Sequence, residues 1–284
     1  MLSLDLLIFV SLIYVAFLFG VAFWAERASD AGRGGWMRTP LIYTLSLSIY
    51  CTAWTFYGAV GFAARSGLEF LTIYIGPTVV LIGWWLVLRR LVRIARAERI
   101  TSIADLLSSR FGKSALLGGL VTVMAVVGTT PYIALQLQSV TTSISVFAMG
   151  TQNILSSTNI ALWTAAGLAV FTIVFGTRNL DVNERHSGVV MAIAVEAIVK
   201  LLALLAVGAF VVWGLAGGPG DVLARIDASP MSQWEVSTGR WIGLTFLSAA
   251  AFLCLPRMFQ VMVVENSEES HLATASWAFP LYLL

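Results

Sequence analysis

Between Lys113 and Arg178 the chain carries no charged side chain at all. A soluble fold of that size has to present charge to water, so this stretch excludes water as the main solvent of the chain. Composition agrees: of 284 residues, 58% are hydrophobic and 11% charged, against roughly 25% charged in soluble domains. The formal net charge is +2, and no basic patch marks a nucleic-acid surface. Cys51 and Cys254 lie inside apolar segments without a disulfide or metal-ligand pattern, and read as small buried hydrophobes. The first apolar run lacks a basic region ahead of it and follows Asp5, so it reads as an uncleaved helix rather than a signal peptide.

Apolar runs of about 20 residues, the length that crosses a hydrocarbon core of ~30 Å as a helix, occupy 6–24, 40–64, 70–88, 114–145, 160–175, 187–213 and 241–264. An eighth starts near Ala273 and reaches Leu284. The runs are continuous, without the alternation of a barrel strand, and predict an all-α membrane protein. Twelve basic residues follow spans one, three and five, while the opposite loops hold only Arg65, Arg225 and Arg240. The positive-inside rule then places the twelve in the cytoplasm, with the N-terminus periplasmic and the bacterial inner membrane as the location. Residues 101–110 read as a short amphipathic helix on the cytoplasmic surface, Ile103, Leu106 and Leu107 on one side and Asp105 and Arg110 towards water.

Two spans carry signs of interruption. Span two has Ser46, Ser48, Thr52 and Thr55 ahead of Gly58 and Gly61, and span seven contains Pro256 next to Arg257. Helix breaks are therefore expected at Gly58 and at Pro256 and Arg257. Carriers built from inverted repeats bind solute where two corresponding helices are broken, because freed backbone groups coordinate ions and substrate away from lipid. Spans two and seven would open successive five-helix units of opposite direction. Close packing of helices through glycines and hydroxyls is the alternative reading. Span four contains Pro131, which predicts a kink, followed by Gln136 and Gln138. Those amides either bond between helices or contact solute.

Glu196 and Lys200 stand at an i,i+4 spacing in span six with the acid first, the favourable order for a helical ion pair. They read either as a neutralised pair that sets packing, or with Glu196 on a cation route and Lys200 tuning its charge. His186 and His271 fall in polar loops without a second ligand at metal spacing, and read as solvated. There is no nucleophile elbow and no phosphate-cradling loop. No catalytic residue, no metal centre and no enzyme activity are expected of this segment.

Residues 46–61, SLSIYCTAWTFYGAVG, resemble the first core helix of the sodium:solute symporter family, and 100–113, ITSIADLLSSRFGK, the loop after its next helix. YCTAWTFYG at 50–58, TTPYIALQLQ at 129–138, FGTRNLDVNERHSG at 175–188 and LPRMFQVMVVEN at 255–266 are similar to the symporter-like module of symporter-type sensor histidine kinases. The resemblance spans essentially the whole chain, 1–284. It implies a polytopic helical bundle of the leucine-transporter-type inverted-repeat fold, with an extra first helix at 6–24, a first repeat over 40–213 and the start of a second over 241–284. It implies sodium bound by main-chain carbonyls that fall on Ser48 and Cys51, together with hydroxyls of an eighth core helix without counterpart here. An acid that many members carry in the first core helix corresponds to Tyr50. Glu196 falls near an acidic position of the family and implies cation handling. Kinase-linked members are associated with amino acids such as histidine.

The expectation is cation-coupled transport, by sodium, of a small solute such as an amino acid, the module serving as input to a two-component sensor kinase. A non-transporting receptor or a membrane anchor for the kinase is the alternative. Solute contacts are expected from Tyr50, Thr52, Trp54, Thr55, Gln136 and Gln138, and the cation site from Ser48, Cys51 and Glu196. Expected partners are the lipid bilayer, the solute and downstream kinase domains, with no nucleic acid and no cofactor besides sodium.

Overall fold

The computed structural model describes residues 4–148, 157–171, 187–229, 235 and 237–284, and every element among them is helical. In chain order these are α1 Leu4–Asp30, α2 Pro40–Ser46 with a 3-10 continuation Leu47–Tyr50, and α3 Ala59–Ser66 preceded by a π turn Trp54–Gly58. Then come α4 Thr72–Ile82, α5 Leu88–Glu98, α6 Ile103–Arg110, α7 Ala115–Ala148, α8 Ser157–Phe171 and α9 Ser187–Ala209, the last continued by a π turn Phe210–Leu215. The chain closes with α10 Pro219–Asp227, α11 Thr238–Cys254, α12 Pro256–Phe259 continued by Gln260–Val264, and α13 His271–Leu283.

Among the described residues, four helices are long and apolar enough to cross a membrane: Leu6–Asp30, Ala59–Ile82, Ala115–Val146 and Gly188–Leu215. The pair Thr238–Cys254 and Pro256–Val264, bent by 59°, makes a fifth if taken as one span. This is the architecture of a polytopic helical membrane protein, with fewer full-length spans among the described residues than the hydropathy runs predict. The difference has local causes. The second run is divided, and its first part, Pro40–Tyr50, is too short to cross alone. The third run ends at Ile82 in a turn over 83–87, after which α5 departs as a separate amphipathic helix. Of the fifth run, α8 Ser157–Phe171 lies among the described residues, and the FGTRNLDVNERHSG block, with His186, lies almost wholly outside them.

Local chemistry sets several of these boundaries. Thr39 is extended, its hydroxyl accepts the Ile42 N–H at 3.4 Å, and Pro40 fills the first helical position, so α2 starts there. Ser102 caps α6 by accepting the Asp105 N–H at 3.1 Å, and the Asp105 carboxylate accepts the Thr101 N–H at 3.1 Å. Ile103 and Leu106 pack against the core, and Leu107 is exposed. Pro256 forces Leu255 into extended backbone, φ −63 and ψ 127, and so bends α11 against α12. Inside α4, Pro77 has no N–H to give the Ile73 carbonyl one turn back. The Tyr50 hydroxyl supplies that missing bond at 2.8 Å.

Helix α4 packs on α11, α1 on α9, and α2 between α9 and α13. Glycines set two of these approaches: a Cβ at Gly76 would lie 1.9 Å from Ser248 Oγ and 2.5 Å from the Ala249 nitrogen, and one at Gly188 would lie 2.5 Å from the Ala22 carbonyl oxygen. Ser248 Oγ also donates to the Thr72 carbonyl at 2.7 Å, tying α11 to α4. The core gathers Leu47, Leu81, Phe252, Met258, Phe259 and Phe279 from α2, α4 and α11 to α13. The outer surface is the reverse of a soluble protein's: Phe9, Leu12 and Phe17 of α1, and Val123, Met124 and Val127 of α7, are bare.

Three of the basic residues after α4 form a clamp. Arg89 and Arg93 of α5 both bond the Glu269 carboxylate, Arg93 Nε at 2.8 Å, and Arg96 bonds the Asn266 carbonyl and side-chain oxygen at 3.0 and 2.8 Å. His271, expected in a solvated loop, is 2% exposed. It opens α13 beneath Tyr43, with ring centres 5.9 Å apart. Its side chain lies in the packing between α2 and α13.

Candidate functional site

Helix α2 stops where Cys51 turns extended, φ −78 and ψ 104, and helix resumes at Ala53. The interruption lies at Cys51 and Thr52, upstream of Gly58, which sits inside the π turn; Gly58 is not the break. A break in a membrane-embedded helix leaves main-chain groups that must find partners. Two of them are met by side chains from other helices. The Ala53 N–H donates to Gln136 Oε1 of α7 at 3.2 Å, and the Cys51 carbonyl accepts Lys200 Nζ of α9 at 2.9 Å. Lys200 also pairs with Glu196 at 2.9 Å. The Cys51 N–H meanwhile donates to the Ser48 carbonyl at 2.8 Å. Tyr57 of the π turn bonds Ser143 of α7.

Beside the break lies a cavity of about 320 Å³. Cys51, Thr52 and Thr55 line it from the break, Tyr74 from α4, Lys200 from α9 and Tyr282 from α13. The remaining wall is chiefly leucine, alanine and valine. Tyr282 is oriented by donating to the Ala197 carbonyl at 3.0 Å. An apolar chamber with a few convergent polar groups is the usual form of a small-molecule site.

The two interrupted helices touch. Tyr43 of α2 donates to the Met262 carbonyl at 2.7 Å, and the Tyr50 ring meets Phe252 edge-on at 5.4 Å. Arg257, next to the bend, reaches Tyr132 of α7, bonding its hydroxyl at 2.5 Å with the guanidinium 4.6 Å from the ring centre. It pins α12 to α7 next to Pro131, which lies inside the continuous helix α7, and neither Pro256 nor Arg257 lines the cavity.

Of the residues expected to contact solute, Thr52 and Thr55 line the cavity. Tyr50 does not, its hydroxyl being committed to α4. Gln136 is committed to the break, and Gln138 is exposed. The Trp54 side chain lies outside the described residues. Of the cation candidates, Cys51 is at the break, and Glu196 reaches it only through Lys200. Ser48 is fully buried, its carbonyl taken by the Cys51 N–H. Tyr74 and Tyr282 were not legible, because a tyrosine in an apolar run gives no sign of which cavity it faces. Lys200 stands out in the sequence by its charge and its i,i+4 spacing from Glu196.

Both carbonyls expected to hold a cation are engaged within the chain: that of Cys51 accepts the Lys200 ammonium, and that of Ser48 accepts the Cys51 N–H.

Comparison with known proteins adds a distant likeness. The chain is similar to a symporter. It is 25% identical over 244 residues to the uncharacterized symporter YhjB of Bacillus subtilis (strain 168), an alignment covering 82% of this chain and 46% of that protein. The chain thus spans about half the length of the curated relative it matches. No family model matches, and no solved structure matches.

Proposed function

We propose that this chain is the membrane-embedded part of a secondary carrier that moves a small solute through the cavity beside the α2 break. The observation that carries the reading is the break itself, with its main-chain groups held by Gln136 and Lys200 and its Thr52 and Thr55 side chains facing a mostly apolar chamber. Likeness to a symporter supports it. A volume of about 320 Å³ suits a metabolite of amino-acid size. The full-length protein in proteoliposomes should accumulate one of a panel of radiolabelled amino acids, histidine included, above its equilibrium level. Thr52→Val and Thr55→Val should each lower apparent affinity about three- to tenfold, the loss of one hydrogen bond to solute. Saturable binding without accumulation makes the protein a receptor and ends the carrier reading.

The same proposal places the N-terminus in the periplasm of a bacterium, which the twelve basic residues on one side support. Attachment to a sensor histidine kinase is supported by the sequence blocks at 50–58, 129–138, 175–188 and 255–266. The reading frame beyond Leu284 tests it directly.

A further inference from the structure

Unwound carbonyls at a helix break are where broken-helix carriers coordinate a mobile cation. In this chain that position is already filled by a cation attached to the fold. We propose that the ammonium of Lys200 is the resident cation of the α2 break, so that the site is completed without sodium.

Three observations converge on this. Lys200 Nζ lies 2.9 Å from the Cys51 carbonyl oxygen, the acceptor that the loss of helix at Cys51 sets free. The same ammonium lies 2.9 Å from Glu196 one turn earlier on α9, so the charge is compensated from its own helix. The neighbouring Ser48 carbonyl is taken by the Cys51 N–H, and the Tyr50 hydroxyl serves α4. A neutralised pair concerned only with packing has no need of a main-chain carbonyl from a different helix. Here the lysine spans from α9 to α2 and closes the gap. An ammonium has three donors; two are used on Cys51 and Glu196, and the third belongs to a side chain that lines the cavity. A tethered cation also differs in kind from a diffusing one, since it is present whatever the ionic composition on either side of the membrane.

The inference concerns the break alone and does not depend on whether the cavity carries a solute across. The test uses the full-length protein in detergent, with its thermal unfolding midpoint titrated by sodium chloride against choline chloride at constant ionic strength. The wild type should show no sodium-specific shift. Lys200→Ala should unfold at a lower temperature in choline and regain part of the loss in sodium, the free ion entering the vacated position. Lys200→Arg, which keeps the charge, should remain indifferent to sodium. A saturable sodium-specific rise in the wild-type midpoint overturns the proposal, and so does a Lys200→Ala protein with the wild-type midpoint in choline. If Lys200→Ala cannot be purified, the wild-type titration decides. Failure to find uptake of any solute would count against the carrier reading and leave this result standing.

Discussion

At the scale of single residues, the chain separates side chains that serve the fold from those that face the cavity. Tyr50 shows the difference. It sits in the segment most suggestive of a binding site, yet its hydroxyl completes the carbonyl that Pro77 leaves bare, 2.8 Å away. Tyr50→Phe should therefore lower stability by about 1–3 kcal/mol, the cost of an unsatisfied buried acceptor. Pro77→Ala in the same background should recover part of it, because the restored N–H takes over the carbonyl. The two effects should be non-additive in thermal unfolding. Residue types are fully visible in the sequence, but these assignments are not. The hydroxyl of Tyr50 and the amide of Gln136 carry the same chemistry whether they meet a solute or a stranded main-chain group, and only the neighbouring helix decides.

At the scale of elements, the apolar runs mark where helices lie, because a helix in hydrocarbon needs little more than apolar length. They do not mark where helices stop. The density of hydroxyls and glycines in span two points to a break, but its place at Cys51 and Thr52 is set by Gln136 and Lys200, which arrive from α7 and α9 to receive the freed groups. Pro256 is the exception. A proline constrains the residue before it whatever surrounds it, so the bend at Leu255 could be read in advance. The α4 and α11 contact was equally hidden, since Gly76 looks like any glycine in a hydrophobic stretch. With a Cβ there only 1.9 Å from Ser248 Oγ and 2.5 Å from main chain, Gly76→Ala should lower stability by roughly 1–3 kcal/mol through overpacking. A lower unfolding midpoint in detergent would register it, and an unchanged midpoint would mean that the two helices are not so close.

At the scale of the whole molecule, α5 and the segment leading into α13 are joined by the Arg89, Arg93 and Arg96 clamp on Glu269 and Asn266. The Arg93 hydrogen bond, helped by Arg89, holds the Glu269 carboxyl below its ordinary value of 4.5 despite some desolvation. Two residues on, burial holds His271 below 6.5, with Glu268 opposing and Arg96 assisting. Both folded-state values are depressed, so both contributions are intact above the unfolded values and are lost as pH falls. Acidification should loosen this junction in two stages, first below about 6.5 through His271 and then below about 4.5 through Glu269. Hydrogen exchange of α5 against pH would follow it, and His271→Asn should remove the first stage only. The clamp has one more property. Its ion pairs are half open to water, and the range of such forces shrinks from ~30 Å in dilute buffer to ~3 Å in molar salt. The seam between two stretches 170 to 180 residues apart is thus a dial for ionic strength, taut in fresh water and slack in brine.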